Sequence, residues 1–223
     1  MPLSQPKTLL LLLVLTLSCL HYTVTAHADA GKWYLSAHTG VSQLGDTSGQ
    51  TLNVGSTNGK ASIGLDNGFL AGMAVGYRYA TNWMAEIAWE YRSNDSETML
   101  ADGTKFNDGN YASNVFYLNG LYHFSIRGNW EPYVGVGLGW IQEIDLDLED
   151  SNVEISYSGD GNIGWQFIAG INYHLNDDWS ITGKLRYAEF GSIDLADESS
   201  ALDTIQSLEY APATYELGIA YRF

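Results

Sequence analysis

Tyr215-Glu-Leu-Gly-Ile-Ala-Tyr-Arg-Phe223 closes the chain, and its pattern decides how the rest is read. Successive side chains of an extended strand point to opposite faces. Tyr215, Leu217, Ile219, Tyr221 and Phe223 therefore share one face, and Glu216, Gly218, Ala220 and Arg222 share the other. An apolar face that runs to the last aromatic residue, with no further chain to cover it, fits a strand with lipid on one side and a polar interior on the other.

Working back from that strand, seven more segments repeat the pattern. Trp33 to Val41, Phe69 to Tyr79, Trp83 to Tyr91 and Phe116 to Phe124 each alternate an apolar with a polar or small residue. So do Val134 to Trp140, Trp165 to Leu175 and Trp179 to Tyr187. The eight apolar faces hold 41 positions and no charged residue. The 16% charged content of the chain would place about six or seven there by chance, and a charge facing mid-bilayer costs about 2–4 kcal/mol. A soluble sandwich carries charge on its outward faces. The connections alternate short (80–82, 125–131, 176–178) and long (43–68, 93–112, 142–161, 191–209), the asymmetry of an outer-membrane barrel. The expectation is an all-β, eight-stranded antiparallel transmembrane up-and-down barrel, its first and last strands paired so that no edge faces lipid.

Aromatic residues gather at the strand ends. Trp33, Trp83, Trp179 and Tyr221 lie near the short turns, and Trp89, Trp140 and Trp165 near the long loops, as two interfacial girdles would require.

The first residues read differently. Lys7, the apolar run Leu9 to Leu17 and the Ala26-His27-Ala28 site have the order of a cleaved secretory signal over residues 1–28. Removing 28 of the 223 residues leaves a barrel domain over 29–223, and losing Lys7 moves the net charge from −16 to −17. Cys19 falls inside the signal, and Thr16 three places before it is a poor match to a lipid-attachment site. The remaining chain has no cysteine, which excludes disulfides and thiolate metal sites. So acidic a chain is a poor ligand for nucleic acid. No later segment has 18 consecutive apolar residues, so membrane insertion would have to use strands.

With these elements in place, the chain resembles the small eight-stranded outer-membrane barrels of the OmpA-type transmembrane domain and the opacity-protein, porin-like family. The resemblance rests on Trp33-Tyr34, Asn119-Gly-Leu-Tyr-His-Phe124, Pro132-Tyr-Val-Gly-Val-Gly-Leu-Gly139 and Tyr221-Arg-Phe223. It implies that Phe223 is read by the barrel-assembly machinery in a Gram-negative outer membrane. It also implies periplasmic termini and long loops facing outward. Nothing follows Phe223, so the peptidoglycan-binding domain of full-length OmpA-type proteins is not expected.

Inward positions hold Arg78, Glu86, Glu90, Arg92, Lys184, Arg186, Glu216 and Arg222, with His38, His123 and His174. Unpaired buried charge costs about 3–5 kcal/mol, so a paired ionic network is expected. Eight strands leave an interior just wide enough for side chains to fill. Gly135, Gly137 and Gly139 make a smooth inner stripe with room for long side chains opposite. The surplus of cations over Glu86, Glu90 and Glu216 leaves a narrow gated channel as the alternative.

Enzymes occur among such barrels, some acting on lipid A. That chemistry needs a lipid-facing Ser and His oriented by an acid, and the three histidines point inward. They also sit on different strands and heights, which disfavours zinc. No catalytic residue, metal or cofactor is expected. The long loops carry the acid, Glu143, Asp145, Asp147, Glu149, Asp150 and Glu154 in the third and Asp194, Asp197, Glu198, Asp203 and Glu209 in the fourth. Asp145 to Asp150 lacks the glycine and spacing of a calcium loop. The reading is a monomeric, non-enzymatic surface protein embedded in outer-membrane lipid and lipopolysaccharide, whose acidic loops meet an external ligand or bridge to lipopolysaccharide through divalent cations.

Overall fold

The structure, a computed structural model, describes residues 32–52, 58–124, 127–150, 153–199 and 203–223. The signal segment and its cleavage site lie outside the described residues. The described residues form fourteen strands where the sequence reading expects eight. They are β1 (Lys32–Gln43), β2 (Thr47–Leu52), β3 (Gly59–Leu65), β4 (Gly68–Arg78), β5 (Trp83–Met99), β6 (Lys105–Phe106) and β7 (Asp108–His123). The second half supplies β8 (Trp130–Asp150), β9 (Val153–Gly159), β10 (Ile163–His174), β11 (Trp179–Glu189), β12 (Ser192–Asp197), β13 (Thr204–Glu209) and β14 (Ala213–Arg222).

All pairings are antiparallel. β1, β4, β5, β7, β8, β10, β11 and β14 close a ring in that order, sealed where Leu35 lies opposite Tyr221. Trp33 and Phe223 complete the seal by exchanging backbone hydrogen bonds of 3.1 and 2.9 Å. The ring contains the eight apolar segments, and each keeps the outward phase read from the sequence. Leu35, Ile87, Val136 and Leu217 are 50 to 68% exposed, while their neighbours Tyr34, Glu86, Gly135 and Glu216 are buried. Such a belt of exposed apolar side chains is stable only against lipid. No helix among the described residues is long and apolar enough to cross a membrane.

The long connections are not solvated loops. β5, β7 and β8 run on beyond the aromatic belt, and β3, β2, β13, β12 and β9 complete a second closed circuit with them. Links of two or three residues, at 44–46, 66–67, 160–162, 190–191 and 210–212, carry five ring strands into this extension. Its interior is apolar. Ile63, Ile144, Leu146, Leu148, Ile193, Leu195, Ile205 and Leu208 are at most 1% exposed and form one cluster.

Alternation explains both faces of β8, with one interruption. A register shift pairs Asn114 with Glu143 but Val115 with Ile141, leaving Gln142 as the extra residue of a bulge. Before it, odd-numbered residues face inward; after it, Ile144, Leu146 and Leu148 do, and Glu143, Asp145, Asp147 and Glu149 face out. A bulge of one residue reverses the phase of all that follows.

The turn read as 125–131 is also shorter than expected, because β8 begins at Trp130. Trp130 is 49% exposed and packs on Tyr173 with ring centroids 4.7 Å apart, which makes it a belt residue. Similar pairs tie Trp33 to Tyr77, Trp83 to Tyr122 and Trp179 to Tyr221 at 4.8 to 5.0 Å.

Candidate functional site: a layered barrel interior

Three polar layers fill the ring. Strand parity brings charged side chains inward, and the narrow lumen forces them together. The layer nearest the extension is a cross-barrel cluster. Arg186 Nη2 on β11 lies 2.5 Å from both Glu90 Oε2 on β5 and Glu216 Oε1 on β14. Lys184 Nζ contacts Glu216 Oε2 at 2.7 Å, and Thr214 donates to Glu216 Oε1 at 2.7 Å. Arg92 pairs with Glu90 along the same strand. Cations and hydrogen-bond donors take the place of water around these buried carboxylates.

The middle layer is held by neutral donors. Glu86 accepts from the Tyr34 hydroxyl and from Asn119 Nδ2 at 2.8 Å, and Gln166 donates to Asn119 Oδ1 at 2.6 Å. The ionic network therefore takes in Glu90, Arg92, Lys184, Arg186 and Glu216 but leaves Glu86 to a hydrogen-bonded network. Arg78 joins a third layer, near the short turns, around a residue that the sequence reading left in a turn. Glu131 accepts from Arg78 Nη2 at 2.9 Å, and His123 Nδ1 and His174 Nε2 stand 3.2 and 3.3 Å from its Oε2. Parity could have found it, since Glu131 precedes inward Tyr133 by two. With Glu131 included, four carboxylates face the five lumen cations. Arg222 lies half-buried at the same end.

Glycine makes this filling possible. A Cβ on Gly76 would collide with the Tyr34 ring, and one on Gly170 with the Tyr133 ring. On the stripe of β8, one on Gly139 would meet Tyr117 and Phe190, each at 2.7 Å. Large inward side chains are thus seated on bare backbone across the ladder.

Above the ionic cluster the interior changes character. Arg186 lies under the Tyr117 ring at 5.0 Å and Arg92 under Tyr210 at 6.0 Å. Both distances are within cation–π reach. Phe190 packs on Tyr210 with ring centroids 5.5 Å apart. Phe190 and Tyr210 come from the links into the extension, so the strand breaks supply an aromatic septum. Beyond it lies the apolar cluster.

His38, Glu90 and Glu216 form a group of metal-ligating type with atoms within 4.8 Å of one another. Their carboxylates already face Arg186 and Lys184, so a divalent ion would meet two cations, and the group does not fit a metal.

On the outside of the extension the chemistry is acidic. Burial and the neighbouring Glu143, Asp147 and Glu198 push the Asp145 carboxyl up to about 6. Like charges on a crowded strand face disfavour ionisation.

The chain matches the family model for the outer membrane protein beta-barrel domain over residues 10–223 and belongs to that family. No curated protein sequence matches it. Among solved structures it is similar to the outer membrane protein OprG from Pseudomonas aeruginosa, at 18% identity and a TM-score of 0.66 over 87% of this chain and 96% of that one. Neisserial surface protein A is similar at 13% identity, with a TM-score of 0.50 over 86% and 97%. The outer membrane protease OmpT from Escherichia coli is similar at 10% identity, with a TM-score of 0.50 over 90% and 99%. These likenesses concern the fold. The protein is an outer-membrane β-barrel of Gram-negative type.

Proposed function

We propose that this member of the outer-membrane barrel family spans the bilayer with the eight strands of the ring, is closed to ions and does no catalysis. It acts by presenting a rigid acidic surface outside the cell. The single observation behind this reading is the extension. Residues 44–67, 93–112, 142–162 and 190–212 hold 18 acidic residues against Lys60 and Lys105. Twelve of these acids lie on strands that surround a buried apolar core. Such a face attracts cationic partners, or divalent cations shared with lipopolysaccharide phosphates. Planar-bilayer recording of the purified wild type and Glu86→Ala tests the closed barrel; unitary conductance steps in the wild type overturn it. Calcium-dependent stabilisation that disappears on neutralising Asp145, Asp147 and Glu149 together supports the bridging role, and an unchanged melting curve removes it.

A second reading is favoured by the polarity change at the septum. An apolar solute entering the extension would meet charges below it. The wall ladder between β1/β2 and β13/β14 is interrupted between the Gln43–Ala213 and Gln50–Gln206 pairs, where Pro212 has no N–H to offer. Exit would then be sideways into lipid. Transfer of a fluorescent apolar probe into proteoliposomes tests it, and transfer equal to protein-free vesicles rejects it.

A further inference from the structure

Among the described residues, the shortest ladder in the wall of the extension joins β9 to β12. It holds two pairs, Ser158 with Ala196 and Tyr157 with Asp197, followed by a 3.0 Å hydrogen bond from Glu198 N to Ser156 O. On its other side, β9 pairs with β8 all the way from Gly159–Ile144 to Val153–Asp150. A segment held by few backbone bonds opens before its neighbours do.

Like charge crowds this seam. Asp145 lies opposite Ser158 and Asp147 opposite Ser156, so two small residues of β9 separate the carboxylates of β8 from Glu198. On its other flank, Asp145 meets Ala112 of β7, with the neutral Asn110 and Asn114 opposite Asp147 and Glu143. Asp197 and Asp203, joined by a 2.8 Å backbone hydrogen bond, follow beside Tyr157. No lysine or arginine occurs on β13, β12, β9, β8 or β7, which stand side by side. The two lysines of the extension, Lys60 and Lys105, are on β3 and β6. Burial and the carboxylates of Glu143, Asp147 and Glu198 hold Asp145 up at about 6, and burial with Asp197 and Asp203 lifts the Tyr157 hydroxyl to about 12. Like charges facing one another across a ladder oppose its pairing.

We propose that the β9/β12 seam is a charge-controlled parting line of the extension, loosened when its acids are ionised and drawn shut when they are protonated or screened. Opening there uncovers Tyr157 and Leu195, which are at most 1% exposed on the inner face of the two strands. The proposal goes beyond the surface role, which needs the acids alone and holds whether or not the seam parts. Hydrogen–deuterium exchange of the purified full-length barrel in uncharged micelles, corrected for intrinsic rates, tests it. Near pH 7 and at about 0.01 M salt, residues 153–159 and 192–198 should exchange about three- to tenfold more slowly in the double variant Asp145→Asn, Glu198→Gln than in the wild type. Raising the salt to about 1 M, where the screening length is about 3 Å, should slow the wild type by a similar factor and leave the variant unchanged. Wild-type protection at the seam should also fall from about pH 5 to about pH 7, as Asp145 ionises. Glu97→Gln, which removes an outer acid of β5 away from the seam, should match the wild type there. Equal exchange in wild type and double variant, no response to salt or pH, or an equal slowing in Glu97→Gln overturns the proposal.

Discussion

Arg186 on β11 reaches across the lumen to Glu90 on β5, Nη2 to Oε2 at 2.5 Å, and these two strands stand opposite one another in the ring. The contact therefore spans the barrel instead of joining neighbours. It acts as a strut that fixes the cross-section, and its partners are too buried for water to replace either one.

Removing one end of that strut should cost far more than removing both. Arg186→Met leaves Glu90 and Glu216 short of a cation and is expected to destabilise by about 3–5 kcal/mol. The triple variant Arg186→Met, Glu90→Gln, Glu216→Gln should recover much of the loss. Urea unfolding in micelles measures both, and a single variant within about 0.5 kcal/mol of wild type would show that the strut is idle.

The glycine seats predict a contrast within one residue type. Gly76→Ala and Gly170→Ala drive a methyl into the Tyr34 and Tyr133 rings and should cost about 1–3 kcal/mol each. Gly120→Ala, on the lipid face with nothing within 4 Å of the added carbon, should be close to neutral. Equal unfolding midpoints for all three would remove the packing argument.

The core of the extension can be probed without disturbing the ring. Leu146→Ala and Ile193→Ala each empty a fully buried site and should cost about 2–5 kcal/mol of local stability. Faster proteolysis within residues 142–160 is the expected readout, with the heat-modifiable band of the ring unchanged. Unaltered cleavage would mean that the extension is not a cooperatively packed unit.

Asp145 gives a pH dependence of known sign. Its folded pKa, about 6, lies above the ordinary 3.8, so between those values the folded state holds more protons than the unfolded. Stability from this group is full below about 4 and is lost as pH rises through 6. Partial exposure keeps the effect below about 1 kcal/mol. Asp145→Asn should raise the melting midpoint at pH 7 and flatten its slope between pH 4 and 6. A variant melting lower than wild type at pH 7 would contradict this.

The ring was legible because lipid imposes one rule on every outward position: Leu35, Ile87, Val136 and Leu217 could be phased from alternation alone. The extension was not, because its acids face water and its apolar residues face each other across chain distances that no local pattern records. Ile144 and Ile193 meet only through long-range pairing. The bulge at Gln142 hid β8 further, since a strand that changes phase looks like a strand that stops. Inside the ring, parity placed the ions but not their partners. Glu86 meets Tyr34 and Asn119 instead of a cation because those side chains, unlike Arg78, lie at its height.

That phase change has a practical side. β8 amounts to two strands of opposite parity spliced by one surplus residue, and removing Gln142 would leave Ile141 facing in, Glu143 out and Ile144 in. Shortening β8 by one residue at this place takes away a bend and nothing else. The same deletion at Leu138 or Leu146 would turn one half of the strand inside out. For anyone grafting a new outer surface onto this barrel, the splice at residue 142 is where length can be traded without reversing what faces lipid and what faces the core.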